Sequence, residues 1–290
     1  MKIGFIGAGT VGSLLATNLH AKGYAVTSIA SRTRASAERL ASHINATAFE
    51  NLQTVADACD LIFITTPDDA IGPVARSIRW SPRHQVVHTS GGLTNEVLQP
   101  VVDAGGQVAC FHPFQTWIPG TPNKLSGVTV ALEGDGPIID QLEELTNALG
   151  CPAIYVKAQD KVVYHLAGVF ASNYIATLFG TALQAFEEIG IPSDKARVAL
   201  LTLLKGTVAN LDAVGLPKAL TGPIARGDAG TISRHLQALE QCNPELLPMY
   251  TTLGRKAVYT AMVKGSADPI VLEIILGLLD NAERAHALSA

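Results

Sequence analysis

The opening of the chain constrains its fold most tightly. An apolar, β-branched run over residues 2–6 passes directly into Gly7-Ala8-Gly9-Thr10-Val11-Gly12, and a helical pattern over residues 11–21 follows. The spacing GxGxxG is weak evidence alone. Between a strand and a helix it has a mechanism: the first glycine makes the tight turn, the second lets a pyrophosphate reach the backbone, and the third lets helix and strand pack closely. The free N–H groups and positive dipole end of the helix then face the phosphates. The expectation is a dinucleotide site built from Gly7, Ala8, Gly9, Thr10, Val11 and Gly12.

The rest of the first half repeats this alternation. Strand patterns fall at residues 24–30, 61–65, 85–88, 107–110, 128–132 and 153–156, and helical patterns at 35–44, 71–78 and 138–149. Alternating strands and helices predict an α/β, doubly wound, mostly parallel sheet with helices on both faces. After residue 156 the strand signal stops. Helical patterns are expected at 160–189, 193–214, 231–239, 244–263 and 269–288, with Ser193-Asp194 as a cap and residues 216–230 as an ordered loop. The chain therefore divides into a dinucleotide-binding Rossmann domain, residues 1–157, and an all-α substrate and dimerisation domain, residues 158–290.

Composition removes several classes. Apolar residues make up 48% and charged residues 16%, which excludes a disordered chain. With 21 Lys+Arg against 25 Asp+Glu and no basic run, a nucleic-acid partner is not expected. Cys59, Cys110, Cys151 and Cys242 show no metal-ligand spacing, so no metal is expected and a reducing, cytoplasmic setting fits. No signal peptide pattern precedes the first strand. Residues 166–186 carry no charge and are long enough for a membrane span, but Ser172, Asn173, Thr177, Thr181 and Gln184 interrupt them. A buried helix, covered more easily in a homodimer than in a monomer, is the expectation.

The polar residues at strand ends are the candidate site, because ligands of such sheets bind outside the carboxyl ends of the strands. After the second strand, where an NAD site would carry an acid for the ribose, this chain reads Ser31-Arg32-Thr33-Arg34. Forked guanidinium bonds suit a 2′-phosphate, so NADP(H) is expected over NAD(H). Thr65, Thr66 and Pro67 end the fourth run and are expected beside the cofactor, with Asp68 or Asp69 capping the next helix. His88, Ser90 and Gly91 end the fifth strand and His112 the sixth, near where the nicotinamide would lie. An imidazole there suits proton transfer near neutral pH. On the long helix, Lys161, His165, Gly168, Ser172 and Ala176 fall in one stripe with Asn173 on its flank. Lys161 reads either as part of the site or as a solvated helix end. In Leu220–Asp228, Arg226 either holds a carboxylate or phosphate or pairs with Asp228, and Asp228 could instead cap the following helix.

Together, GAGTVG, HTSG, the His-Pro turn at His112, YHLAGVFASN and LTGPIARGD make the chain resemble the Rossmann-like plus DUF2520 proteins, over essentially its whole length. That group is similar in architecture to the 6-phosphogluconate dehydrogenase C-terminal-like superfamily, which includes pyrroline-5-carboxylate reductase, prephenate dehydrogenase, ketopantoate reductase and 3-hydroxyacid dehydrogenases. The resemblance implies an NADP-dependent oxidoreductase that dimerises through its helical domain. Hydroxyacid dehydrogenases of the superfamily have Asn four residues after a catalytic Lys; here Lys161 is followed at that spacing by His165. The functional expectation is hydride transfer to or from a small carbonyl, hydroxy or imine substrate held between the domains. Ser90, His112, His165 and Asn173 would do the chemistry, and Ser90, Gly91, Asn173 and Arg226 would bind the substrate. The alternative is a non-catalytic NADPH-binding sensor or interaction protein.

Overall fold

The computed structural model describes residues 1–289. Its sheet has eight strands: β1 (Lys2–Ile6), β2 (Ala25–Ala30), β3 (Thr47–Phe49), β4 (Leu61–Ile64), β5 (Gln85–His88), β6 (Gln107–Pro113), β7 (Val130–Glu133) and β8 (Ala153–Tyr155), in the order β3-β2-β1-β4-β5-β6-β7-β8. All neighbours are parallel except β6 and β7. The helices between strands are α1 (Thr10–Ala21), α2 (Arg34–His43), α3 (Leu52–Ala58), α4 (Asp68–Ser77), α5 (Gln99–Asp103) and α6 (Pro137–Leu149). This is the doubly wound α/β architecture expected, with the order reversing between β1 and β4, where such sheets bind ligands.

The central strands are apolar without alternation because helices cover both of their faces. Every residue of β4, Leu61–Ile64, is buried. Phe5, Phe63 and Phe111 form the aromatic spine of one face: Phe5 and Phe63 stack at 5.0 Å, and Phe63 meets Phe111 edge-on at 5.8 Å. Three short elements escaped the sequence pattern. β3 has only three residues at the sheet edge, none of them buried, and α3 and α5 span seven and five residues. None is long enough to display a period.

After β8 the chain is helical: α7 (Lys161–Gly168), a π-helical turn (Val169–Asn173), α8 (Tyr174–Glu188), α9 (Ser193–Val214), α10 (Ala229–Cys242), α11 (Leu247–Lys264) and α12 (Pro269–Ser289). The single long helix expected over residues 160–189 thus carries a π turn in its middle, a feature common at functional sites. Ser193 and Asp194 do not cap α9; the cap position is Pro192, and no side chain bonds the first turn. Contacts group the chain into two compact units, Met1–Leu178 and Phe179 onward. The first keeps the start of the long helix with the sheet. The second has its own core, in which Ile232, Leu236, Leu247, Val258, Leu272, Ile275 and Leu279 meet.

The expectation of a buried long helix is not met within one chain. The segment Ala158–Glu188 is apolar enough, by length and composition, to cross a membrane, yet Val162 is 71% exposed, Val163 68% and Phe170 59%.

Candidate functional site

The glycine turn is built as its sequence requires. Gly7 sits at φ +117°, a conformation other residues rarely adopt, and its N–H bonds the Ala30 carbonyl at 2.8 Å. A Cβ on Gly12 would collide with the Gly7 carbonyl oxygen and Thr65 Oγ1, so only glycine lets α1 start this close to β4. A Cβ on Gly9, by contrast, would meet nothing within 4 Å. No side chain caps the start of α1, at Thr10 and Val11, and no acid stands in its first turn. Open space at Gly9 in front of an uncapped helix N-terminus is the shape a pyrophosphate fits. Ala8 is buried against the core.

The neighbouring strand ends hold the other expected cofactor residues. Ser31, Arg32 and Thr33 follow β2, which pairs with β1 up to Ile6↔Ala30, so they flank the glycine turn. Arg34 is committed: its Nε contacts Glu38 at 2.7 Å and its Nη1 contacts Glu50 at 2.6 Å. Arg32 is exposed and, among the described residues, has no ion-pair partner, so it is the guanidinium left for an anion. Thr65 is spent internally. Its N–H bonds Ile6 O at 2.8 Å and its hydroxyl donates to Gly7 O at 2.7 Å, tying the turn to β4. Thr66 Oγ1 is enclosed with no partner among the described residues, and Pro67 occupies the cap position of α4. An enclosed hydroxyl beside an open glycine turn is an unmet hydrogen bond that a bound nucleotide could satisfy.

At the next strand ends two expected residues turn out to be enclosed. Ser90 is buried, and its hydroxyl donates to Asp68 Oδ2 at 2.7 Å while accepting from the N–H groups of Gly92 and Leu93 at 3.2 and 3.0 Å. It therefore shapes the turn that carries Gly91. Asp68 does not cap α4 but anchors this serine. His88 is fully buried; its Nδ1 accepts from Ser90 N at 3.2 Å, and Nε2 has no partner among the described residues. Burial, reinforced by the nearby Lys161 charge, pushes its pKa down to about 3, so its imidazole is neutral.

His88, Cys110 and Glu133 form a row across three strands, set by the pairings His88↔Cys110 and Cys110↔Glu133. Their ligating atoms all lie within 4.8 Å of one another. A cation already serves this row: Lys161 Nζ stands 2.7 Å from Glu133 Oε2, with side-chain exposures of 2% and 6%. The two meet as an ion pair without an aligned hydrogen bond. Glu133 also accepts from Asn95 N at 2.9 Å. Burial raises the Cys110 thiol to about 12, so it is no nucleophile. Lys161 is thus neither a solvated helix end nor free for chemistry. Sequence inspection had no way to find its partner, 28 positions away on another element.

His112, His165 and Asn173 come together as expected. They line a cavity of about 340 Å³ with Phe114, Ser172 and Val169, within the size range of small-molecule sites. No Lys, Arg, Asp or Glu is among the residues lining it. His112 Nδ1 is 2.6 Å from the Tyr164 hydroxyl, and their rings meet at 90°. Burial first, then the charges of Lys161 and His165, depress the His112 pKa to about 4. Gly91 makes room for this ring: a Cβ there would stand 2.7 Å from Cε1 and 2.8 Å from Nε2. Tyr164 is a neighbour of His112 that the sequence pattern did not single out as a site residue.

Arg226 lies in the second unit, exposed, at the end of a short 3-10 turn. The expected alternative pairing with Asp228 is not formed. Asp228 caps α10, accepting from Thr231 N at 2.9 Å and from the Thr231 hydroxyl at 2.7 Å. Those bonds hold its carboxyl below the usual range.

Residues 1–113 match the Rossmann-like domain model and residues 128–257 match a domain of unknown function, DUF2520. No curated protein matches the sequence. Solved structures share the fold. A proposed NADP oxidoreductase from Bacteroides fragilis is 23% identical, with a TM-score of 0.70 over 88% of this chain and 97% of that one. A reductive aminase from Aspergillus terreus in complex with NADPH is 17% identical, with a TM-score of 0.59 over 98% and 94%. A pyrroline-5-carboxylate reductase from Coxiella burnetii is 15% identical, with a TM-score of 0.56 over 97% of each chain.

Proposed function

We propose that this chain, a Rossmann-like domain followed by a DUF2520 domain, is an NADP(H)-dependent oxidoreductase acting on a small carbonyl, hydroxy or imine compound. The observation that carries the reading is the cavity of about 340 Å³ bordered by His112, His165 and Asn173, in the same unit as an open glycine turn. The fold is shared with proteins named as NADP oxidoreductase, reductive aminase and imine reductase. NADPH, when bound, supplies a hydride. The chain's own residues do the rest. Gly9 and the α1 N-terminus receive the pyrophosphate, Arg32 with Ser31 and Thr33 receives the 2′-phosphate, and Thr66 supplies a hydroxyl. His112, His165 and Asn173 orient the substrate's reacting oxygen or nitrogen. Holding both partners in line is worth roughly 7–11 kcal/mol of the barrier.

The exposed apolar residues Val162, Val163, Leu166, Phe170 and Tyr174 support a homodimer covering this helix, since patches of this kind mark interfaces. The free cysteines support a reducing, cytoplasmic setting. One observation favours the non-catalytic sensor: Lys161 is locked to Glu133. The deciding experiment is calorimetry with NADPH, then absorbance with a panel of ketoacids, ketones, aldehydes and cyclic imines. Tight NADPH uptake with turnover supports the reductase, and uptake with silence across the panel supports the sensor. Absence of uptake of either nicotinamide nucleotide refutes both.

A further inference from the structure

We propose that Tyr164 is a positioning residue that fixes the tautomer of His112, so that the cavity presents a permanent N–H donor at Nε2 and accepts a neutral carbonyl or hydroxyl oxygen rather than a protonated iminium. The part concerning substrate rests on the reductase reading; the part concerning Tyr164 and His112 does not.

The geometry assigns each proton. A neutral imidazole has one donor nitrogen and one acceptor nitrogen. Nδ1 faces the Tyr164 hydroxyl at 2.6 Å. Among the described residues that hydroxyl has no other acceptor, so donation to Nδ1 is the one bond within the protein that satisfies its O–H. Burial raises the Tyr164 pKa, which keeps the O–H in place. The proton of His112 is then on Nε2, which has no partner among the described residues, while the ring lines the cavity.

The surroundings keep the ring neutral. Lys161 and His165 on α7 disfavour a second cation beside it, and so does burial; Asp68 on α4 opposes them but is held by Ser90. The ring also has fixed neighbours. The absence of a Cβ at Gly91 gives its Cε1 and Nε2 edge room, and the Phe114 ring lies at 6.2 Å, itself 4.9 Å from Tyr164. A donor oriented by Tyr164 and kept neutral by its surroundings selects its ligand. A ketone oxygen has lone pairs to accept the Nε2–H. A protonated iminium nitrogen has none, and its own N–H would face another N–H. The dyad binds and orients, and gives up no net proton, because a tyrosinate in this burial is disfavoured; the hydride from NADPH adds to the carbonyl carbon, the C=O π pair moves to oxygen, and the alkoxide takes its proton from solvent water.

Two measurements on the full chain test this. Histidine 15N spectra report tautomer and protonation without cofactor or substrate. His112 is expected neutral with its proton on Nε2 from about pH 8 to 5, and Tyr164→Phe, which keeps the ring packing, is expected to give a tautomer mixture. A wild-type proton on Nδ1, a charged ring at neutral pH, or an unchanged tautomer in Tyr164→Phe overturns the assignment. The wild-type spectrum decides even where the variant does not fold. With NADPH present, neutral ketones and a permanently charged N-methyl cyclic iminium are compared. Ketone turnover is expected to fall about tenfold or more in Tyr164→Phe with KM for NADPH unchanged. Faster reduction of the iminium than of ketones, or NADPH binding with neither class turned over, overturns the substrate class. Failure to bind NADPH with the tautomer intact sinks only the reductase reading.

Discussion

Replacing Glu133 by Gln is expected to be among the most destabilising single changes in the sheet domain. The substitution keeps the side chain's shape, and its Oε1 still accepts from Asn95 N at 2.9 Å. Only the charge is lost, leaving the Lys161 ammonium enclosed without its counter-ion. At the observed 2.7 Å the pair's attraction is about 6 kcal/mol for an effective dielectric constant of ~20. Desolvating two ions offsets most of that, so the intact pair contributes little net stability, but breaking one side costs about 3–5 kcal/mol. At roughly 2–4 °C per kcal/mol for a domain of this size, the melting temperature falls by about 6–20 °C.

Lys161→Met is expected to cost a similar amount, because the Glu133 carboxylate then keeps only the Asn95 N–H. The double variant Lys161→Met, Glu133→Gln buries no unpaired charge and is expected to recover most of the loss, so that two single losses of about 3–5 kcal/mol each give a coupling energy of roughly 5 kcal/mol or more. Urea unfolding of the four proteins at pH 7 completes the cycle. Single variants within about 1 kcal/mol of wild type, as for exposed pairs, would refute the view that this pair is dry. Lys161→Met has a second readout: with the neighbouring cation gone, the His112 midpoint moves up from about 4.

The glycine turn separates stability from binding. Gly9→Ala, whose Cβ meets nothing within 4 Å, should melt like wild type and lose NADPH affinity in calorimetry, whereas Gly12→Ala should lose stability because its Cβ strikes backbone and Thr65. Arg32→Ala should narrow the preference for NADPH over NADH, measured by competitive titration, and Arg34→Ala should do so much less because Glu38 and Glu50 already hold that guanidinium. Acid should destabilise the fold early. The folded pKa values of His88 and His112, about 3 and about 4, lie below the usual 6.5, so the unfolded chain binds more protons between those limits. Their contribution is complete above pH 6.5 and is lost as pH falls toward 4, at up to about 1.4 kcal/mol per pH unit for each imidazole. Urea midpoints at pH 7, 6 and 5 that do not decline would contradict this.

Much of the framework was readable because it repeats locally. The apolar runs of β1, β4 and β5 and the glycine spacing are contained in a few adjacent residues each, and such short-range patterns survive without knowledge of partners. The functions of single polar residues did not. Ser90 and Thr65 were expected beside ligands, but a hydroxyl at a strand end bonds backbone groups equally well, and here both do. Arg34 resembled a phosphate ligand until Glu50, 16 positions on, was found against it. Tyr164 gained its meaning from His112, 52 positions away. The π turn at Val169–Asn173 has no residue signature, since a changed hydrogen-bond step leaves the apolar pattern intact.

Two histidines at neighbouring strand ends were both expected near the nicotinamide, and the sheet register explains why only one of them reaches the cavity. β5 stops at His88, paired with Cys110, whereas β6 continues to Pro113. At about 3.3 Å per residue the extra three residues carry β6 about 10 Å past its parallel neighbour. A strand projecting that far would expose its backbone groups, but β7 runs antiparallel beside it, pairing His112↔Ala131 and Pro113↔Val130. Side chains alternate across a strand, so Phe111 points to the aromatic spine while Cys110 and His112 share the other face. The row His88–Cys110–Glu133 thereby closes over Lys161 as a dry foundation. His112, two residues further out on the same face, emerges at the cavity. One imidazole is walled in and the other meets a ligand because a single antiparallel strand supports the sheet where its parallel partners have ended.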